Sequence, residues 1–142
     1  MKTVAQLLAL KPSGIVAVAP DVTVLDAVKV LAEKNIGAVL VMDGPRLVGM
    51  FSERDYARRV DLKGKSSANT PVSEVMTREV VFVTPTHTNE DCMALMTDKR
   101  IRHLPVVAND QVVGLLSIGD LVKDIISEQQ LIISELENYI HR

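Results

Sequence analysis

Gly114-Leu115-Leu116-Ser117-Ile118-Gly119-Asp120 decides how this chain is read, because Gly49-Met50-Phe51-Ser52-Glu53-Arg54-Asp55 repeats its pattern. Each copy is a glycine, two apolar residues, a serine, two variable residues and an aspartate. The apolar residues just before each copy, Leu47-Val48 and Val112-Val113, read as short buried strands, and each aspartate opens a helical pattern. A serine and a carboxylate three residues apart at a strand-to-helix turn have two readings. One is a helix cap, in which side-chain oxygens accept the orphan N–H groups of the first turn. The other is a ligand cradle, with the carboxylate on a sugar diol and the serine and backbone N–H groups facing phosphate. Found once, the pattern favours the cap; its duplication shifts weight toward the cradle.

Working outward, the duplication extends over most of the chain. An offset of 65 residues separates Pro20 from Pro85, Thr23 from Thr88, Ile36 from Ile101, Ser52 from Ser117 and Asp55 from Asp120, with no gap. Val4 to Leu8 is a short amphipathic turn or helix closed by Lys11-Pro12-Ser13-Gly14. Ile15–Val18 then predicts a strand, Val24–Lys34 a helix, Ala38–Met42 and Arg46–Phe51 two strands, and Ser52–Val60 a helix. Residues 61–71 read as a polar linker. After it, Val72–Met76 is again a short amphipathic turn and Val80–Val83 a strand. Asp91–Lys99 is a helix, 101–107 and 112–116 are strands, and Asp120–Ile126 is a helix. A repeat that cannot bury its faces alone packs against its twin. The expected organisation is therefore repeat 1 over 1–60, a linker over 61–71, repeat 2 over 72–126 and a further amphipathic helix over 127–142.

Composition bounds the chemistry. The 142 residues are 47% apolar but only 3% aromatic, so the core must be aliphatic. A formal net charge of −2 argues against a general electrostatic nucleic-acid binder, and two Phe and two Tyr are too few for single-strand stacking platforms. No apolar run approaches a membrane span and Met1-Lys2-Thr3 does not open a signal peptide, so the expected setting is soluble and cytoplasmic. The lone Cys92 excludes an internal disulfide and reads as a core residue on an apolar helix face.

The order strand–helix–strand–strand–helix, twice over, resembles the tandem CBS-domain or Bateman module. The resemblance runs from Val4 to Ile126 and is carried by the Gly-apolar-apolar-Ser-x-x-Asp ends, by Val72-Ser73-Glu74-Val75-Met76-Thr77, and by Ile101-Arg102-His103-Leu104-Pro105-Val106. It implies an α+β fold of two β-α-β-β-α repeats packed pseudo-symmetrically, with an extra C-terminal helix. It also implies adenosine nucleotides bound in clefts between paired repeats, with adenine on apolar residues, ribose on the motif aspartate and phosphate on basic or hydroxyl groups.

Carried over onto this sequence, the resemblance gives one cleft Asp120 for the ribose diol and Ser117 for phosphate or ribose. Arg102 and His103 would face phosphate, and Val16, Ala17, Ile36 and Gly37 would form the apolar wall. The second cleft would use Asp55 and Ser52, with Val81, Phe82 and Ile101 as its wall. There Gly37-Ala38 replace Arg102-His103, and Arg54 is the substitute cation, so the clefts are expected to be unequal. The residue types suit these roles, since a carboxylate accepts from two vicinal hydroxyls and a guanidinium presents a fork to phosphate. AMP heads the expected ligands, with ATP, ADP, NAD and S-adenosylmethionine as the others.

Two rival classes carry less. Ser117, His103 and Asp120 would suggest a hydrolase, but Leu115 stands where a nucleophile elbow needs glycine. A metal-binding His-x-x-x-His, a Walker loop and a dinucleotide Gly-x-Gly-x-x-Gly are all absent from the sequence. A dimerisation scaffold with degenerate clefts would need neither Asp55 nor Asp120. The expected protein is therefore a non-enzymatic nucleotide sensor that relays ligand state to an unidentified protein effector, with no nucleic acid, membrane or metal partner. It is expected to pair as a homodimer. Its C-terminal helix, with Leu131, Ile132, Leu136, Tyr139 and Ile140, packs either on its own repeats or across to a second subunit.

Overall fold

A computed structural model describes residues 2–11 and 14–141, so the Pro12-Ser13 part of the first expected turn and the terminal Arg142 lie outside the described residues. The elements in order are α1 (Val4–Ala9), β1 (Ala17–Val18), α2 (Val24–Lys34), β2 (Ala38–Asp43), β3 (Arg46–Ser52), α3 (Glu53–Asp55), α4 (Asn89–Lys99), β4 (His103–Ala108), β5 (Gln111–Ser117) and α5 (Ile118–Ile140). A π-helical stretch, Tyr56–Asp61, continues α3, and a 3-10 turn covers Val72–Glu74. Two matching halves, the first β-α-β-β-α and the second with its opening strand reduced to one bridge, together with a long C-terminal helix, are the α+β architecture expected. The offset of 65 holds to the residue: α2 and α4, β2 and β4, and β3 and β5 start and stop at matching positions.

Local chemistry explains these boundaries. Thr23 and Thr88 cap α2 and α4 by accepting the N–H groups of Asp26 and Asp91. Both helices end on a left-handed residue, Asn35 (φ 52°) and Arg100 (φ 56°). Apolar residues of α2 at helical spacing (Val24, Ala27, Leu31) are buried, and the run Ala38–Val41 is buried on both faces of β2.

The chain forms two compact units, and each exchanges its lead-in segment with the other along the sequence. The first unit holds residues 14–81 together with 109–112. Its sheet runs β1-β2-β3, with β1 parallel and β3 antiparallel to β2. Val24, Leu31, Val39, Val41 and Phe51 form its core with Val72, Val75 and Met76 from beyond the linker. Val72 and Ser73 donate backbone bonds to the carbonyls of Val22 and Pro20. The second unit holds residues 2–11, 82–108 and 113–141. In it β4 pairs with β5, and Val4 and Ala5 of α1 donate to the carbonyls of His87 and Pro85, the counterparts of Val22 and Pro20. Burying α1 through Val4 and Leu7, beside Cys92, Met96, Leu116 and Leu121, gives this unit its aliphatic core.

Four expectations need correction. The strand expected over Ile15–Val18 is confined to Ala17–Val18. The strand expected over Val80–Val83 is a single parallel bridge from Val83 to Val106. In the first repeat Leu40 donates to the Val16 carbonyl; its counterpart, Pro105, has no N–H to give, so pairing stops there. The helix expected over Ser52–Val60 becomes π-helical from Tyr56, with Leu62 N–H bonded to Ala57 five residues back. The helices expected over 120–126 and 127–142 are one helix of 23 residues, since nothing at Ser127 interrupts the apolar period.

Candidate functional site

Each motif copy sits where a strand feeds a helix, and each forms a capping box. Ser117 Oγ accepts from Asp120 N–H at 3.2 Å, while Asp120 Oδ2 accepts from Ser117 N–H at 2.8 Å. In the first repeat the same reciprocal bonds join Ser52 and Asp55, at 3.2 and 2.9 Å. The capping reading of the motif is therefore realised in both copies. What differs is what covers the carboxylate.

Asp55 is 8% exposed and uses both oxygens. Oδ2 accepts from the Ser52 N–H and hydroxyl, Oδ1 accepts from the Thr77 hydroxyl at 3.1 Å, and the Arg59 guanidinium stands 3.8 Å away. Thr77 is held there because its N–H and carbonyl bridge to Met50. Gly49 is required by the same passage, since a Cβ would stand 2.8 Å from the Thr77 carbonyl oxygen.

In the second repeat one side chain replaces both donors of Thr77. Lys11 Nζ donates to the carbonyl of Leu115, the counterpart of Met50, at 2.7 Å, and to Asp120 Oδ2 at 2.8 Å. Gly114 admits this segment past Leu8. The bonds Asp120 makes with described residues fall on Oδ2, and its side chain keeps 26% of its surface in water. Burial works against its ionisation, but bonds from Lys11 and the Ser117 amide outweigh that and hold its carboxyl below the usual aspartate value. The result is an ionised, partly open carboxylate in the first turn of a long helix.

The remaining expected residues fall around these two caps. The Arg102 carbonyl accepts the Ile118 N–H at 2.8 Å, so the start of β4 lies against the α5 N-terminus, with Arg102 exposed and His103 half-buried. The Gly37 carbonyl accepts the Glu53 N–H at 3.0 Å in the matching place. Ile36 and Ile101 donate to the carbonyls of Leu31 and Met96, closing the turns after α2 and α4. Arg54 is exposed on α3, Val16, Val81 and Gly37 are half-buried, and Ala17 and Phe82 are exposed. Asp120, Ser117, Arg102 and His103 thus gather in the second unit, and Asp55, Ser52 and Arg54 in the first. Val16, Ala17, Ile36 and Gly37 belong to the first unit, and Phe82 and Ile101 to the second. An open depression of about 410 Å³ in the first unit is lined by Ile36, Asn35, Glu53, Tyr56 and residues of α2, and Asp55 takes no part in it.

Sequence reasoning missed Lys11, Thr77 and Arg59. Thr77 ends the Val72–Thr77 motif and Arg59 lies four residues after Asp55, but Lys11 carries no signal in the sequence. Its role arises from the exchange of lead-in segments, which no local spacing reveals.

Duplicated helix–strand–strand–helix units, each with a Ser–Asp capping box at the start of its last helix, define a paired-repeat module. Known proteins place it further. The CBS domain family matches the chain over residues 12–61 and 72–127, and the chain belongs to that family. It is 40% identical over 125 residues to the mitochondrial CBS domain-containing protein CBSX3 of Arabidopsis thaliana, a match covering 84% of this chain and 61% of that protein's length. The structure of a CBS-domain protein from Burkholderia ambifaria MC40-6, with a provisional signal-transduction assignment, superposes with a TM-score of 0.87 at 50% identity, covering 90% of this chain and 96% of that one. A more distant fold relative, the CBS domain protein PAE2072 from Pyrobaculum aerophilum, is 24% identical with a TM-score of 0.74, covers 83% of this chain and 88% of its own, and was solved with AMP. Among the described residues no helix is long and apolar enough to cross a membrane.

Proposed function

We propose that the chain is a regulatory module that binds an adenosine nucleotide, AMP first, at the Ser117–Asp120 cap and relays ligand state to a partner protein. The observation that carries this reading is the state of Asp120: ionised, partly open, and bonded to described residues through one oxygen only. A ribose diol needs such an acceptor, and Lys11 and Arg102 add positive charge for phosphate. Val16, Ala17, Ile36 and Gly37 are assigned to the adenine, and His103 joins Arg102 on phosphate. ATP, ADP and NAD are the further ligands of the same chemistry. Asp55, Ser52 and Arg54, with Val81, Phe82 and Ile101, form a second and weaker site, since Asp55 is already saturated by protein donors. Along the chain the repeats are 1–60 and 72–126, joined by 61–71 and followed by 127–142. The module pairs with a second copy in the cytoplasm and performs no chemistry of its own, Ser117 Oγ being used as a cap acceptor.

The rival reading is a scaffold, favoured by one observation: both Ser–Asp pairs already serve as caps. A thermal-shift panel of AMP, ADP, ATP, NAD and adenosine separates the two. Stabilisation of about 2.7 kcal/mol at a ligand concentration a hundredfold above its Kd supports the sensor. No shift with any nucleotide at millimolar concentration rejects it. Arg102→Ala should weaken AMP far more than adenosine; equal losses would remove Arg102 from the phosphate.

A further inference from the structure

From Val122 to Ile140, α5 presents an apolar face to solvent. Val122, Ile126, Ile133, Leu136 and Ile140 are 41, 49, 54, 57 and 72% exposed. With Gln129 they recur in alternating steps of four and three residues, the spacing of a coiled-coil seam. Ile125, Ile132 and Tyr139 run along one flank of that seam, and Lys123, Gln130 and Glu137 along the other. Leu131 alone among the large apolar residues of this stretch falls on the opposite side. The exposed apolar surface of the seam and its apolar flank is roughly 700 Å², close to the ~800 Å² per partner of a standard interface.

We infer that α5 pairs with α5 of a second copy as an antiparallel two-helix seam centred on residue 131. The flanks fix both the partner and the direction. In an antiparallel pair the core layers set Ile126 against Leu136, Ile133 against Gln129 and Ile140 against Val122 of the second copy. One flank then sets Ile125 against Tyr139 and Ile132 against its own counterpart, all apolar. The other sets Lys123 against Glu137, twice by symmetry, and Gln130 against its counterpart. In a parallel pair Ile132 would face Glu137 and Ile125 would face Gln130, burying apolar side chains against a charge and an amide. Like faces meeting under a two-fold axis close the assembly at two copies. The seam rests on the reading that the module pairs with a second copy and specifies where it does so.

Sedimentation equilibrium of the full chain tests it. The wild type should run at twice its 15.5 kDa mass. Ile133→Asp should give the single mass, and Leu131→Asp on the opposite side should leave the pair intact. Lys123→Glu should weaken pairing about three- to tenfold, and adding Glu137→Lys should restore it, because each rim pair is small but its reversal is repulsive. A monomeric wild type at 100 μM overturns both the seam and the pairing reading. A dimer indifferent to Ile133→Asp overturns the seam and leaves pairing standing. A charge reversal that the second substitution does not rescue overturns the antiparallel direction. Ile133 is exposed, so the variant retains its fold, and an unchanged melting response to AMP checks that.

Discussion

Replacing each motif aspartate by alanine should produce opposite profiles, and the structure sets their sizes. In Asp55→Ala the Ser52 N–H and the Thr77 hydroxyl lose a buried acceptor, and the first turn of α3 loses one of its two negative charges. A buried donor left unpaired costs about 1–3 kcal/mol, a charge at a helix N-terminus about 0.5 kcal/mol, and a displaced hydroxyl about 1 kcal/mol. The total is about 3 kcal/mol, or roughly 10 °C in melting temperature for a chain of this length. In Asp120→Ala the Lys11 ammonium, with 34% of its side-chain surface exposed, is rehydrated on loss of its partner. The half-buried Ser117 N–H also loses its acceptor and the first turn of α5 its charge, so the stability cost is about 1–2 kcal/mol, below that of Asp55→Ala. Nucleotide affinity should move the other way. Asp120→Ala removes the proposed ribose acceptor and should weaken AMP by at least about tenfold, one charge-assisted bond, whereas Asp55→Ala should change the proposed stronger AMP site less than about twofold. Calorimetric melting and AMP titration on the two variants read both quantities. An Asp55→Ala protein melting within about 2 °C of wild type would refute the structural role given to Asp55. An unchanged AMP affinity in a folded Asp120→Ala would make Asp120 a cap and nothing more.

Three further outcomes follow from single contacts. Asp124 is buried and bonded to Lys2 Nζ at 2.6 Å and Asn89 Nδ2 at 2.8 Å; burial opposes its ionisation, but these partners outweigh it and lower its carboxyl, as Lys11 does for Asp120. Carboxyls lowered in the folded state contribute stability above their unfolded value of 3.8 and lose it as pH falls through the folded values. Melting temperature should therefore be flat from pH 7 to about 5 and fall steeply below about 4, and Asp124→Asn should flatten that acid limb; an identical limb would remove Asp124 from it. Gly49→Ala should destabilise more than Gly114→Ala by at least about 1 kcal/mol, because the new methyl meets the Thr77 backbone in the first case and the movable end of Leu8 in the second; equal losses in denaturant titration would contradict the close passage at Gly49. Burial pushes the Cys92 thiol up to about 11, so the folded protein should resist iodoacetamide at pH 8 while the urea-unfolded chain reacts; rapid alkylation of the native form would show that α4 opens.

Much of the architecture was legible because it was written twice. A register of 65 residues with matched Thr, Ser, Pro and Asp positions needs no long-range information, and the structure keeps it to the residue. Illegible were the features that depend on segments distant in sequence. Val80–Val83 looks as strand-like as Ile15–Val18, but the length of each strand is set by whether residue 40 or residue 105 has an N–H to offer. The continuation of α5 past Ser127 was hidden by the repeat itself, since the first copy gives no such continuation to compare. The candidate site was half legible. Ser117 and Asp120 announce themselves by spacing, while Lys11, at the other end of the chain, acts only because α1 folds with the second repeat.

Under the proposed nucleotide reading, Lys11 also accounts for how one motif would hold two roles. A Ser-x-x-Asp box satisfies a helix N-terminus with one carboxylate oxygen and leaves the other to its surroundings. Where Thr77 supplies a hydroxyl from a rigidly bridged backbone, that second oxygen is consumed and Asp55 becomes a buried strut. Where a flexible lysine supplies the donor, both donor bonds come from a group that can rotate away or share its acceptor. An ammonium has three protons and needs no single geometry, so a ribose hydroxyl can join Asp120 without evicting it. The duplicated motif therefore need not imply duplicated sites, and the divergence lies outside the motif, in the segment that crosses it.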